Sequence, residues 1–527
     1  MSERSLAILN ANIITLNPAL PTAQAILIRD GKIAAVGSNK QINKQINKLK
    51  TRIIDVHGTT IVPGLTDCHV HMTGFGHSLR FLKLKDARSI KEIQKKLRIR
   101  ARQFSEKTWI VGGGWDQERL VERRYPTRWD LDAAVSNRPV ILRRICGHVA
   151  VANTKALQLA EITKHTAIEG GQIDIDPQNG EPNGVIRENA LELALKAIPS
   201  LGAQELENTC FKAAEEATQA GLTCVHWLVD SPDEIRTLQN LHMTSRLPVR
   251  VVIGISVDLL DYVINLGLQT GFGNKMLKLG FIKILADGSL GGHTAALETP
   301  YSDKPDTKGM MLHTTKELNR LVSKAHSAGL QLAVHAIGDR AVRTVIDTYE
   351  RALKRSPRPN HRHRIEHASV LNPRQVKRIK RLQLVLAVQP HFVVSDFWTQ
   401  DRLGSRRMRW TYPFKTLMKQ KITLASSSDC PVENISPLLG IWAATTRKSF
   451  KQENLTVKEA LETYTINAAY ASFDERRRGT IETGKLADLT VLSDNILDIP
   501  AERIRTTKVE MTIVGGKIVY SRRKYAV

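Results

Sequence analysis

The feature that most constrains this chain is a short, almost uninterrupted apolar run that recurs along its length. It appears as "TIVPGLTDCHVH" (60–71), "GLTCVHWLV" (221–229), "LPVRVVIGIS" (247–256), "LGFIKILADGS" (279–289), "LQLAVHAIGD" (330–339), "HRIEHAS" (363–369), "QLVLAVQPHF" (383–392) and "KITLASSSD" (421–429). A strand with one wet face alternates apolar and polar residues. A run apolar on both faces is covered on both sides, as in a parallel sheet wrapped by helices. Helical patterns separate these runs, and eight of them predict a TIM-like (β/α)8 barrel.

One interval breaks the rhythm. About 150 residues separate the first run from the second, far more than one crossover needs. Residues 75–205 therefore read as an insertion within a barrel domain of residues 63–477. The two ends have a hairpin texture instead, with an Asp-Gly turn in "QAILIRDGKIAAVG" and a Gly-Gly turn in "KVEMTIVGGKIVYS". Residues 1–62 and 478–527 are expected to build one composite β-sandwich.

Charge narrows the partners. Lysine and arginine number 77 against 52 acidic residues, a formal net charge of +25. The basic residues gather in amphipathic patterns such as "RSIKEIQKKLRIRARQF" and "RQVKRIKRL". These read as solvated helix faces, so a small-molecule substrate is expected rather than nucleic acid. No run approaches the length of a membrane helix. The N-terminus is polar where a signal peptide would be apolar. Five cysteines lie dispersed without metal or disulfide spacing, which points to a reducing, cytoplasmic setting. Homo-oligomerisation stays open.

Chemistry-bearing residues fall at repeated places. His69 and His71 end the first run, Lys283 lies in the fourth, His335 near the end of the fifth, His367 at the end of the sixth and Asp429 at the end of the eighth. The C-terminal strand ends of such a barrel converge on one mouth. Four imidazoles, a lysine and a carboxylate would meet there. Imidazole and carboxylate suit one or two divalent ions, Zn²⁺ first, with Mn²⁺ or Fe²⁺ as alternatives.

"VPGLTDCHVH", "FIKILADGSLGG", "VHAIGD", "IEHAS" and "ASSSDCPV" resemble the signature segments of the amidohydrolase superfamily, in its amidohydrolase-3 branch, which includes N-substituted formamide deformylases. The resemblance spans nearly the whole chain. It implies that His69, His71 and Asp429 bind one metal and that His335 and His367 bind a second. Lys283 matches a lysine that many members carboxylate into a bridging ligand; the alternative is a cation paired with Asp287 or a substrate anion. Asp429 would be the general base for metal-activated water. His226 would end the second strand, either orienting the carbonyl or packing as a polar core residue. Trp115 and Asp116 in "GGGWDQ", with His148 and Asn153, either reach the substrate or serve the insertion's own structure. His293 stands where many relatives have arginine, which loosens any borrowed substrate. Cys68 and Cys430 flank ligands as small fillers or as soft, oxidisable thiols.

The expected activity is metal-dependent hydrolysis of a carbon–nitrogen bond in a non-peptide amide or formamide. A deaminase or cyclic-amide hydrolase is the alternative on the same scaffold. A basic nucleic-acid- or anion-binding protein with a vestigial barrel is the alternative from another class.

Overall fold

The computed structural model describes residues 5–47, 50–103, 108–145, 149–168, 171–188, 190–199 and 201–523. The chain divides into two compact units, residues 1–75 with 206–527, and residues 76–205.

The first unit holds the barrel. Its strands are β1 (Leu65–Val70), β2 (Leu222–Val229), β3 (Arg250–Ser256), β4 (Leu277–Leu285), β5 (Gln331–Ala336), β6 (Arg364–His367), β7 (Val385–Val388) and β8 (Leu424–Ser426). They form one eight-stranded sheet in sequence order, with parallel neighbours from β1 through β8. All residues of β2 are buried, because helices cover the outside and side chains fill the inside. The helix Asp339–Arg355 shows the outer layer: Ala341, Val342, Val345, Ile346, Tyr349 and Ala352 are buried along one stripe. The basic pattern "RQVKRIKRL" behaves likewise. The helix Pro373–Arg381 starts at an Asn372 capping box and buries Val376 and Ile379, while Arg378 pairs outward with Asp347 and Glu350 at 2.6 Å each.

Both chain ends belong to this unit. Strands Ser5–Leu9, Ala25–Arg29, Lys32–Gly37 and Thr51–Asp55 form a four-stranded sheet. Strands Asn12–Ile14, Thr22–Ala23 and Thr60–Pro63 join Leu489–Leu492, Val509–Val514 and Lys517–Ser521 in a six-stranded one. N- and C-terminal strands are direct partners, with Thr490 opposite Val62. Ile8, Ile26 and Ile54 from one sheet pack with Ile13, Ile61, Val491 and Ile513 from the other. The Asp-Gly hairpin takes positive φ at Asp30 (48°) and Gly31 (76°), the twist-matched turn that dipeptide favours. Arg250, at the foot of β3, makes a buried bidentate pair with Asp488 at 2.7 and 2.8 Å.

The second unit has its own six-stranded sheet, running from Gly171–Ile175 at one edge to Leu82–Lys83 at the other. Its core includes Leu97, Trp115, Leu131 and Leu142 on one side and Ile141, Leu157, Ile186 and Leu191 on the other. Among the described residues of the whole chain, no helix is long and apolar enough to cross a membrane.

Candidate metal centre and active site

The barrel closes where β1 and β8 end. The Asp429 N–H donates to the His69 carbonyl and the His71 N–H to the Cys430 carbonyl, both at 2.9 Å. This zipper sets the Asp429 carboxylate against the His-x-His. Its Oδ1 lies 3.3 Å from His69 Nε2 and 3.4 Å from His71 Nε2. Ligand-capable atoms of His69, His367 and Asp429, all buried, lie within 4.8 Å of one another. Lys283 Nζ is 3.2 Å from His69 Nε2, and the His335 ring stands 4.4 Å from that of His367. The six expected donors thus share one end of the barrel, and the tightest trio draws on both groups of ligands that the resemblance keeps apart.

Two of these side chains are aimed by backbone that a strand does not use. His367 has φ 72° and Asp429 φ 58°. Histidine and aspartate tolerate the left-handed region better than most residues, at a cost of order 1–3 kcal/mol each. The turn rotates both side chains away from strict strand alternation.

Hydrogen bonds then fix which nitrogen of each imidazole is free. Glu366 Oε2 accepts from His69 Nδ1 at 2.5 Å. Gln389 Oε1 accepts from His367 Nδ1 at 2.7 Å, and the Gln389 amide is itself oriented by donating to Ser427 Oγ at 2.9 Å. The Gly288 carbonyl accepts from His335 Nε2 at 3.1 Å. Carboxylate, amide oxygen and carbonyl can only accept, so each ring carries its proton on the bonded nitrogen. In the neutral rings, the form a metal ion binds, the lone pairs left over are Nε2 of His69, Nε2 of His367 and Nδ1 of His335. Anchoring the far nitrogen in this way is how metal-binding histidines are held, and with a carboxylate alongside, the donor set fits a divalent metal ion.

Glu366 was not among the residues expected from the sequence. It is wholly buried and takes two hydrogen bonds from Arg364, 2.8 Å from Nε and 2.9 Å from Nη2. Arg364 also donates to the Cys68 carbonyl at 2.7 Å and to His226 Nδ1 at 2.9 Å. A sequence signal existed: in "HRIEH" two opposite charges alternate in an otherwise buried strand, so both point to one side. Asp287 was considered only as a partner for Lys283. The structure instead has it accept from the backbone N–H groups of Ala296, Ile337 and Gly338, tying the loop after β4 to the end of β5.

The charges balance locally. Burial alone would raise the Glu366 carboxyl, but Arg364 and His69 outweigh it and hold the group well below the usual range. Burial would likewise raise Asp429, and the imidazoles of His69, His71 and His367 hold it ionised. Burial pushes the Lys283 ammonium down to about 8, against the pull of Glu366 and Asp429. Burial drives His335 down to about 3, with Lys283 adding to the effect.

The other expected site residues are placed differently. His226 does not end β2, which runs three residues further to Val229. It pairs with Val252, which in turn pairs with Lys278 rather than Lys283. Its ring is fully buried below the donors, and because Nδ1 accepts from Arg364 the proton sits on Nε2, which has no protein partner among the described residues. His293 meets Asp303 at 3.2 Å and packs edge-on against Tyr301. In the insertion, Trp115 is a core residue whose indole N–H donates to the Leu142 carbonyl at 2.9 Å. Asn153 is buried and fully used: it caps the helix Thr154–Leu159, accepts from Val140 N–H and donates to the Val135 and Arg138 carbonyls. Of the two readings left open for these side chains, the bonds they make are those of the insertion's own structure. Asp116 pairs with Arg144 at 2.9 Å and caps the turn Gln117–Arg119. His148 lies outside the described residues. Cys68 and Cys430 are buried thiols whose ionisation burial opposes.

Known proteins resemble this chain along most of its length. An amidohydrolase family profile matches residues 52–520. The chain is 34% identical to YtcJ of Bacillus subtilis (strain 168) over 515 residues, covering 95% of this chain and 96% of that one. It is 27% identical to the N-substituted formamide deformylase of Arthrobacter pascens over 547 residues, covering 98% and 99%. The crystal structure of a metal-dependent hydrolase from Pyrococcus furiosus superposes with a TM-score of 0.80 at 32% identity, covering 94% of this chain and 100% of that one. Profile, relatives and fold lead to one conclusion: the chain belongs to the amidohydrolase family, as a metal-dependent enzyme hydrolysing carbon–nitrogen bonds.

Proposed function

We propose that the barrel mouth hydrolyses a non-peptide amide, with N-formyl and N-acyl amines as the substrate class. The observation that carries this is the buried trio of His69, His367 and Asp429, with ligand atoms within 4.8 Å and both imidazoles locked with Nε2 free. The likeness to a formamide deformylase supports the choice of substrate. A divalent ion bound in this set, most simply Zn²⁺, would supply a Lewis acid able to polarise a carbonyl and acidify water. His69, His71, Lys283, His335, His367 and Asp429 would hold it. Asp429, kept ionised by its imidazole neighbours, takes the proton of the attacking water and delivers it to the leaving nitrogen. The carbon–nitrogen bond breaks, and a carboxylate and an amine leave.

Lys283 fits this scheme as a carboxylated ligand. An ammonium 3.2 Å from His69 Nε2 would repel a cation bound there. Burial favours its neutral amine, the form that adds to CO2 with release of a proton. The adduct offers two anionic oxygens in place of a positive charge. The four described cysteines, all buried and unpaired, support a reducing, cytoplasmic setting.

The test is metal analysis of purified protein, followed by a panel of N-formyl, N-acyl, cyclic-amide and amino-heterocycle substrates with product identification. Equimolar carboxylate and primary amine are expected. Ammonia released from an amino-heterocycle with no carboxylate would replace this reading with deamination.

A further inference from the structure

A second feature lies at the opposite end of the barrel. Lys278 and Gly280 at the start of β4 and Gln331 at the start of β5 line an open cleft of about 1260 Å3. Lys283 sits five residues further along β4, roughly 16 Å away at the strand rise per residue, so the cleft is separate from the metal centre. Lys32, Lys275, Arg476 and Arg477 line it, are exposed, and make no ion pair among the described residues. Arg358 joins them, spending its guanidinium on the His326 and Leu330 carbonyls rather than on an acid. The lining has a single carboxylate, Asp474. It is already taken by Lys278 at 2.7 Å and Arg478 at 3.2 Å.

This contrasts with basic side chains elsewhere in the same unit. Arg362 is matched to Glu475, Arg378 to Asp347 and Glu350, and Lys415 to Glu459. Cations gathered in a concavity without counter-charges repel one another, and a low-dielectric wall strengthens their joint field. A multiply charged anion relieves that repulsion. The guanidinium fork of Arg476 and Arg477 matches phosphate oxygens in pairs, while the lysines act as point charges. Lys275 precedes β4, Arg358 precedes β6, Arg476 and Arg477 follow the helix Ile466–Ala471, and Lys32 opens the strand Lys32–Gly37, so the fold itself assembles the set.

We propose that this cleft is a second binding site for a small ligand bearing several phosphate groups, either an inorganic polyphosphate or the polyphosphate arm of a nucleotide. The cations line one concave cleft, whereas an extended nucleic acid would call for a stripe along the surface.

Titration calorimetry at low ionic strength tests it. Inorganic tripolyphosphate should bind the full chain at one site. Arg476→Glu with Arg477→Glu should weaken it by roughly tenfold or more, and Lys32→Glu with Lys275→Glu should do so independently, since each pair removes close charges. Arg374→Glu with Lys377→Glu, on the exposed face of the helix Pro373–Arg381, removes the same charge outside the cleft and should leave affinity within about twofold. ATP in place of tripolyphosphate separates the two sources: tighter binding assigns a nucleotide, equal binding the polyphosphate alone. Unchanged melting temperatures show that the variants fold. Equal weakening by the helix variant, or several ions bound per chain, would reveal only a basic surface and overturn the proposal. A single-stranded oligonucleotide that binds more tightly than tripolyphosphate and responds equally to all three variants would overturn it too.

Discussion

Glu366→Gln isolates the support beneath the metal centre. The carboxylate accepts three hydrogen bonds, one from His69 Nδ1 and two from Arg364. Glutamine keeps the shape but offers one accepting oxygen and one donating NH2. If the oxygen faces His69, the NH2 confronts the Arg364 donors. If the NH2 faces His69, Nδ1 must accept, the ring proton moves to Nε2, and the lone pair aimed at the metal is lost. Either way a buried polar group is stranded beside an uncompensated guanidinium. Breaking one side of a buried ion pair costs about 3–5 kcal/mol, and loss of such a support typically weakens metal binding roughly 10–100-fold. Competition against a chelator measures the second quantity and chemical denaturation of the metal-free protein the first. Retention of wild-type metal affinity and stability would falsify the assignment of Glu366 as the group that sets the His69 tautomer.

Gln389→Leu should loosen metal binding by roughly 10–100-fold, because His367 loses the acceptor that fixes its proton on Nδ1. Gln389→Glu should restore most of it, since a carboxylate also accepts from His367 and from the Ser427 hydroxyl; failure of that rescue in the same chelator assay counts against the tautomer argument. Asp429→Asn should lower turnover at saturating metal roughly 10²–10⁴-fold, and a variant keeping more than a tenth of the rate in steady-state kinetics would remove Asp429 as the base. Acid should destabilise the metal-free barrel through His326, His361 and His363. The His363 Nδ1 accepts from Leu332 N–H, its Nε2 donates to His326 Nδ1, and His326 Nε2 donates to the Ser356 carbonyl. Burial lowers all three histidines, His361 to about 4, with Arg358 adding to it. The unfolded chain, with histidines near 6.5, binds more protons below that pH. Stability is therefore complete above about pH 6.5 and falls as pH drops towards about 4; a melting temperature flat across that window contradicts the reasoning.

The parts legible in the sequence are those where one residue type in one pattern has few explanations. Buried parallel strands leave continuous apolar runs, and a histidine or aspartate that interrupts such a run near its end stands out. That is why the TIM-like barrel could be read directly, and why the residues from His69 to Asp429 stood out as candidates at its mouth. Supporting residues are harder, because their meaning lies in partners from other strands. Gln389 looks like any polar residue after a strand until His367 and Ser427 appear on either side of it. Asn153 shows the converse case, a residue left open between substrate contact and structure. An asparagine just before "TKALQL" is the ordinary signature of a helix cap, and the cap is what the structure has. His226 was misplaced by three residues along a strand, enough to move it from the mouth into the interior.

The interior below the mouth explains why such support is built from charges rather than from packing. Arg364 is fully buried, lies 4.3 Å over the Phe281 ring and spends its donors on Glu366, His226 and the Cys68 carbonyl. Apolar residues of similar volume would often be as stable there, or more so. They could not hold Glu366 ionised at the centre of a barrel, because burial alone would protonate it. A protonated Glu366 could then donate its proton towards His69 Nδ1 and leave the ring's tautomer undecided. The buried arginine is therefore required one layer down by the lone pair needed at His69 Nε2. The aromatic ring and the backbone carbonyl take up the part of its charge that a single carboxylate does not.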